Sequence, residues 1–592
     1  MDSSTPGADG AHLHVSFRTM CGREIQVGHL ALGGGRHPAQ RVSLDIGASA
    51  DGGTAIWAGL TVGEARRLAA ALLTQAAACD PARGSEDGGL TVGLWRRRVR
   101  LAGHTRGGLS RWLNAVRGRQ ARASERRRRP QPLVKQRMPS GRGAMEQPNI
   151  TSGGAGVLTP RFWVMVVLTG IAAGLLGALM MLILFNVQYA AFGYREGTLQ
   201  HGVEQASAAH RVGSLLIAGA FGGVAWFLLR RYTRGEPSEI DEALWNGDGR
   251  LSFRRCLGTS VISEVVIGMG ASIGREAAPK LLGGASGSVL AGWGGLSAQQ
   301  RRLLVACGGG AGLAAVYNVP LAGALFTAEI LIGSITLPVM LPAIACSAIA
   351  TATAWIYLPD HATYPGIPDY RFTWSVMIWA LLAGPVIGLV SAGYIRLIGW
   401  VSHHRARGTA ALFAPVIAFG ALGVIGIWYP QLFGNGLDMA RDAFLGVGSL
   451  SLLLILFALK PLVTALCLGS GASGGLFTPT LATGAALGGA LGIAWNLAWP
   501  GSPSGAFAMV CAAAMIGAAM QAPLSGLALV LELTHSGFGL MVPMMAATGI
   551  ATLVAFHVDG YSIYSARLPA YTEDSAPAAP PDSGKDIGSS GH

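Results

Sequence analysis

The sequence predicts an all-α polytopic membrane protein of two duplicated halves with broken helices, preceded by a small soluble α+β extension. Three observations predict it. Charged residues make up only 13% of the 592-residue chain, where a soluble protein carries about 25%, and the mean hydropathy is +0.44. Long stretches carry no charge at all. Two local patterns recur in the same order at nearly one offset. Together these exclude a disordered chain and a purely soluble enzyme.

Residues 1–94 read as a small soluble extension. Apolar and polar residues alternate over His12–Met20, Arg23–Leu32, Arg41–Ile46 and Thr54–Leu60, the pattern of half-buried strands. Thr61 and Glu64 then stand at capping-box spacing before an Ala/Leu/Arg helix. No catalytic constellation is present in this part. The N-terminus is polar and lacks the apolar run of a signal peptide.

Residues 95–155 read as a basic, disordered linker. The net charge is +13, which taken alone suggests a nucleic-acid or anionic-surface partner. Its placement changes that. Residues 95–145 hold fifteen Arg and one Lys against Glu125, a charge of +15, so the rest of the chain is slightly acidic at −2. We read the segment as solvated and lying beside a membrane rather than as a nucleic-acid arm. A third reading has translation starting at Met145. A basic block before the first span orients the N-terminus to the cytoplasm. The expectation is a multi-pass protein of the cell (inner) membrane with both termini cytoplasmic.

The membrane part runs over 156–570, with halves at 156–360 and 370–570. Phe162–Tyr194, Val212–Leu229, Leu303–Ala328, Ile330–Pro359, Phe372–Ile395 and Gly408–Leu437 carry no charge, and Pro461–Val558 carries only Glu532. A span needs about 20 apolar residues, so ten or more membrane elements fit. Gly and Pro cut many of these runs. Lipid cannot satisfy free backbone groups, so broken helices line a cavity or are buried in protein. This is the pattern of a transporter or channel core. Residues 571–592 read as a disordered tail that leaves no room for a regulatory domain. The seven cysteines (21, 79, 256, 307, 346, 467 and 511) form no CxxC pair and read as small buried apolar residues, with no disulfide framework, metal site or cofactor called for.

The duplication rests on two patterns. Gly270-Ala-Ser-Ile-Gly274-Arg-Glu276-Ala-Ala-Pro279 returns as Gly471-Ala-Ser-Gly-Gly475-Leu-Phe-Thr-Pro479, 201 residues on. Pro320-Leu-Ala-Gly323 with Glu329 returns as Pro523-Leu-Ser-Gly526 with Glu532, 203 residues on. Duplicated halves with interrupted helices are typical of transporters whose site lies between the repeats. The halves are expected to be inverted relative to each other.

The repeated loops carry the chemistry. A Gly-rich loop opening an apolar helix leaves bare backbone N–H groups at a positive helix end, which binds anions without a formal cation. Gly471–Pro479 has no charged residue. An anion held only by amides can leave again, as permeation requires. Close packing of small residues is the structural alternative. Glu276 sits in the first loop, before an apolar continuation. An intramembrane carboxylate is functional by default. Ionised, it can take the anion's place; protonated, it withdraws, and so acts as a gate coupled to pH. The alternative is an ion pair with Arg275 or Lys280 at a membrane edge.

At these residues the sequence resembles the CLC family of chloride channels and proton-coupled chloride transporters, over about 156–570. Gly274-Arg-Glu276-Ala-Ala-Pro279 is similar to the family's GREGP motif, with Ala277 and Ala278 as departures. Gly475-Leu-Phe-Thr-Pro479 is similar to its GxFxP motif. The resemblance implies that Glu276 is the gating glutamate, and that the amides of Leu476 and Phe477 face the central anion. It also implies that Tyr564, in Ile563-Tyr564-Ser-Ala, contacts that anion through its hydroxyl. Gly274, Ala277 and Gly475 complete the anion set, with Glu329, Glu532, Pro320 and Pro523 as repeat-paired support. A homodimer with one anion pathway in each subunit is implied too.

Two departures bear on mechanism. The family's first anion loop reads GSGIP, but here Arg234-Gly-Glu-Pro-Ser238 stands there, with Gly235 where the serine belongs. Proton-coupled members carry a second, internal glutamate where this chain has Ile330. The expected function is therefore conduction of chloride or a similar small anion through a glutamate-gated, channel-like pathway. A chloride/proton antiporter, with protons as a second transported species, and a fluoride exporter are the alternatives. Nucleic acid is not expected as a partner; the lipid bilayer is.

Overall fold

The computed structural model describes residues 15–18, 24–32, 39–46 and 56–61, and residues 158–568 apart from 195–197, 234–236, 238 and 246. The chain forms two compact units, Met1–Arg137 and Met138–His592. The first unit holds β1 (Val15–Arg18), β2 (Glu24–Leu32), β3 (Ala39–Ile46) and β4 (Ile56–Thr61). They form one antiparallel sheet in sequence order. Each strand falls on one of the four alternating stretches of the sequence. The helix expected after Thr61, the basic segment 95–145, Cys21, Cys79 and Gly235 lie outside the described residues.

The second unit is helical. Its first half contains α1 (Pro160–Phe192), α2 (Leu199–Gln205), α3 (Ala208–Tyr232), α4 (Ile240–Trp245), α5 (Phe253–Gly268), α6 (Ala277–Trp293), α7 (Ala298–Tyr317), α8 (Pro320–Phe326) and α9 (Leu337–Ala354). Its second half contains α10 (Trp374–His403), α11 (Ala410–Ile425), α12 (Leu437–Phe444), α13 (Leu450–Gly469), α14 (Phe477–Trp495), α15 (Ser504–Met520), α16 (Pro523–Thr534) and α17 (Met541–Val558).

Local chemistry sets the helix starts. Thr159 accepts from the Phe162 N–H and Pro160 occupies the first turn of α1, where a missing N–H costs nothing. Ser297 and Gln300 close a capping box on α7. Along α1, Val164, Leu168, Ile171, Leu175, Leu179 and Leu182 are exposed. That spacing of three and four is one helix face, and an exposed face of this length and apolarity suits lipid. By contrast α15 is buried from Gly505 to Met520.

Among the described residues seven helices are long and apolar enough to cross a membrane, and four shorter apolar helical segments accompany them. The protein is multi-pass. Together these are eleven apolar helical elements among the described residues, in keeping with the ten or more expected. Five of the cysteines, Cys256, Cys307, Cys346, Cys467 and Cys511, are buried and form no disulfide.

The two halves repeat one packing plan. The first helix of each packs on the last, α1 on α9 and α10 on α17, and the pair after each loop packs together, α6 on α7 and α14 on α15. Between α6 and α7 the contact is backbone to backbone: a Cβ on Gly283 would overlap the Gly308 carbonyl, and the reverse holds. Small residues permit this approach.

The second repeated pattern is a pair of reciprocal caps. α7 ends at Asn318 (φ 57°) and α15 at Gln521 (φ 55°), both left-handed, and Pro320 and Pro523 then start α8 and α16. Glu532, on α16, accepts from the amides of Leu321 (3.0 Å) and Ala322 (2.7 Å) at the start of α8. Glu329 lies in the π-turn Thr327–Ile332 that follows α8. It accepts from the amides of Leu524 (3.2 Å) and Ser525 (2.7 Å), and from the Ser525 hydroxyl (2.7 Å), at the start of α16. Each carboxylate thus satisfies the free N–H groups of the other half's helix, where the dipole favours negative charge. Glu329→Ala and Glu532→Ala should each cost roughly 1–3 kcal/mol, the loss typical of amides left unpaired. The check is the thermal unfolding midpoint in detergent, which falls in both variants; an unchanged midpoint would contradict the caps.

Candidate anion pathway and its gate

Each half brings a glycine loop to the centre. After α5 the backbone passes through Gly270 (φ 109°) to Gly274 and enters α6; after α13 it passes through Gly471 (φ 95°) to Gly475 and enters α14. These φ values lie where only glycine is comfortable. The two loops meet. The Gly274 N–H donates to the Gly475 carbonyl and the Gly475 N–H to the Gly274 carbonyl, both at 2.8 Å, as an isolated antiparallel bridge.

The bridge places Glu276 against the start of α14. Its Oε1 accepts from the Phe477 N–H at 2.6 Å. Its Oε2 accepts from the Thr478 hydroxyl at 3.1 Å and the Tyr317 hydroxyl at 3.3 Å, and those two hydroxyls lie 2.7 Å apart. The side chain is 3% exposed. A Cβ on either Gly274 or Gly475 would overlap this carboxylate, so the small residues here leave room for an anionic group as well as for packing.

The neighbouring cations turn elsewhere. The Arg275 guanidinium lies over the rings of Tyr317 (4.9 Å) and Phe185 (5.9 Å). It lines a cavity of about 530 Å³ together with Tyr317, Asn435, Asp438 and Arg441. Lys280 pairs with Asp241 at 3.8 Å and sits 4.7 Å over the Tyr564 ring. Among the described residues Glu276 has no ion pair, so the membrane-edge pair with Arg275 or Lys280 is not formed.

The structure brings Gly274, Glu276, Gly475 and Phe477 together, with Leu476 buried beside them and Ala277 opening α6. Tyr564 stands farther off. It is 8% exposed, packs edge-on against Phe326 at 6.2 Å, and is in electrostatic reach of Glu276. Ile330 is buried in the π-turn after α8. Glu329 and Glu532, with Pro320 and Pro523, sit at the helix starts described above.

Sequence reasoning missed four groups. Tyr317 and Thr478 bond the carboxylate but carry no spacing signal. Lys460 of α13 is fully buried and donates to the Ser272 hydroxyl (2.9 Å) and to the carbonyls of Gly434 (2.9 Å) and Leu432 (3.4 Å). Its three donors hold the first glycine loop to the 432–434 segment. Glu264 of α5 is also fully buried. A signal existed for the last two: Lys460 is the only Lys or Arg between Arg441 and Arg567, and Glu264 the only charge between Arg255 and Arg275.

The model of the voltage gated chloride channel family matches residues 219–556, more than half of the chain. The chain belongs to this family. A putative chloride channel protein ClcB-like from Ralstonia nicotianae is 32% identical over 369 residues, 60% of this chain and 84% of the relative. An H(+)/Cl(-) exchange transporter ClcA from Vibrio campbellii is 29% identical over 374 residues, 60% of this chain and 79% of the relative. The fold is shared with a slow cyanobacterial Cl−/H+ antiporter (TM-score 0.61, 24% identity) and a CLC-type fluoride/proton antiporter (TM-score 0.56, 20% identity). Each solved structure covers 69% of this chain and is itself 97% covered. As a family member, the chain keeps both glycine loops within the matched region.

The overlap at Gly475 is testable without transport. In Gly475→Ala the new methyl group should expel the Glu276 carboxylate from the Phe477 amide. A cryo-electron microscopy map of the variant checks this; a carboxylate still bonded to Phe477 would contradict it.

Proposed function

We propose that this chain carries a small anion, chloride foremost, across the bilayer along a pathway that the Glu276 carboxylate closes and opens. One observation carries the reading: a backbone amide at the start of α14 holds a carboxyl oxygen of Glu276 at 2.6 Å inside a buried site. Chloride asks for the same donors as a carboxylate oxygen. Ionised, Glu276 fills the site. Protonated, it loses the charge that the Phe477 amide, the Thr478 hydroxyl and the helix end hold in place. It then withdraws and leaves those donors to the anion. In this reading Gly274, Ala277, Gly475, Leu476 and the Tyr564 hydroxyl line the same route, the Gly274 and Gly475 amides themselves being engaged in the bridge. With no formal cation in the second loop, the anion is held weakly enough to leave.

The channel-like form of this reading rests on Ile330. An aliphatic side chain cannot carry a proton, and the adjacent Glu329 is engaged in capping α16. A second reading, chloride/proton antiport, is favoured by the Vibrio relative's description as an exchange transporter. Fluoride export is a weaker third, raised by Gly235 standing where the family's first anion loop has its serine. The working form is a homodimer in the cell membrane with cytoplasmic termini. In this reading 1–94 is an accessory extension, 95–155 a basic linker near the membrane surface, 156–570 the transport domain and 571–592 a tail.

Two experiments test this. In proteoliposomes Glu276→Gln, which mimics the protonated carboxyl, should remove the pH dependence of chloride efflux. It should also raise efflux at neutral pH by roughly ten-fold or more, the effect of making a minor open state permanent. Efflux that still follows pH would contradict the gate. In the same vesicles a chloride gradient should drive no uphill proton movement; proton pumping would establish the antiport reading instead, and a fluoride-over-chloride preference the third.

A further inference from the structure

The gate as described leaves one buried ionisable group unused. Glu264 on α5 is 0% exposed, and neither carboxyl oxygen has a hydrogen-bond partner among the described residues. Burying a carboxyl without a partner is costly. Its place ties it to the gate. Ser260, one turn earlier on the same face, donates to the Ala278 carbonyl at 3.3 Å, two residues beyond Glu276. Ser263 donates to the Ser473 carbonyl of the second loop at 2.7 Å. α5 is thus pinned to the chain on both sides of the gate at the level of Glu264, which is in electrostatic reach of Arg275 and Glu276.

No other charge on the helices packed against α5 is free at this level. α1 is uncharged from Phe162 on. His210, Arg211, Arg230 and Arg231 stand in the end turns of α3, and Arg254 and Arg255 in the first turn of α5. Lys280 of α6 is paired with Asp241. Two carboxyls in electrostatic reach of each other in a low-dielectric site resist ionising together, so the pair holds a proton between them.

We propose that Glu264 is the proton partner of the gate: it holds a proton while Glu276 sits ionised in the anion site, and passes it to Glu276 when the gate withdraws. The step balances. The O–H bond of Glu264 breaks, an O–H bond forms on Glu276, and the negative charge moves from Glu276 to Glu264. In the seated position Phe477, Thr478 and Tyr317 engage both oxygens of Glu276, so transfer belongs to the withdrawn position. This rests on the gate reading and deepens it. The gate opens in part by an internal proton shift, and its pH response is broader than that of one carboxyl.

The test measures chloride efflux from proteoliposomes, from acid to alkaline pH, for the full-length chain and for E264Q, E264D, E276Q and the E264Q/E276Q double variant. In E264Q the profile should narrow to that of one titrating carboxyl. Efflux at neutral pH should fall about ten-fold, the size of a one-unit coupling, while efflux at acid pH stays unchanged. E264D should restore the broad profile, and E264Q should change nothing in the E276Q background. An E264Q profile that superimposes on that of the unmodified chain overturns the proposal. So does a loss by one factor at every pH, or a loss that persists in the double variant, since either marks a purely structural role. Efflux from E276Q that still follows pH removes the gate reading itself, and is told apart from these outcomes by that variant alone.

Discussion

Two hydrogen bonds of 2.8 Å between Gly274 and Gly475 hold together loops that lie 201 residues apart, and the centre of the molecule depends on them. They set where α6 and α14 begin relative to each other, and so bring the Glu276 carboxylate to the Phe477 amide. Neither residue has a Cβ, and a methyl group on either would occupy the volume of the carboxylate. The room that two side chains would take is given to the carboxylate, which reaches the Phe477 amide from the other half.

Charge in this nearly uncharged core is spent sparingly, and each group has a distinct task. Glu329 and Glu532 join the halves by capping each other's helices. Lys460 fixes the first loop from behind through Ser272, where a buried ammonium needs all its donors satisfied. Arg275 rests on aromatic faces. No cation neutralises Glu276 directly. Amides and hydroxyls alone hold the carboxylate, as they would hold a permeating anion, so either can leave the site. A lysine in direct contact would make departure slow.

The sequence made much of this legible, for physical reasons. Pro320 and Pro523 read only as a repeated pair; that each opens a helix shows in the fold, where proline's missing N–H costs nothing. Glu276 stood out because an intramembrane carboxylate is expensive. The recurrence at 201 and 203 residues exposed the duplication. What stayed hidden lay in three dimensions. Repetition shows that Glu329 and Glu532 correspond, not that each caps the other's half. Tyr317 and Thr478 reach the carboxylate only because the end of α7 meets the start of α14, which no spacing encodes. Tyr564, placed by family resemblance, packs on Phe326 in electrostatic rather than hydrogen-bonding reach of Glu276. Lys460 and Glu264 were readable as lone charges in apolar surroundings, but their partners were not.

The central claim is that one amide site serves either the Glu276 carboxylate or a permeating anion. Anomalous diffraction from bromide-soaked crystals at two pH values tests it most directly, since bromide substitutes for chloride and is located unambiguously. At acid pH the account predicts bromide beside the Phe477 N–H with Glu276 withdrawn; at alkaline pH it predicts the carboxylate in that place and no bromide there. Bromide bound beside Phe477 while Glu276 keeps its seat, or bromide absent from the Phe477 amide at both pH values, would contradict it.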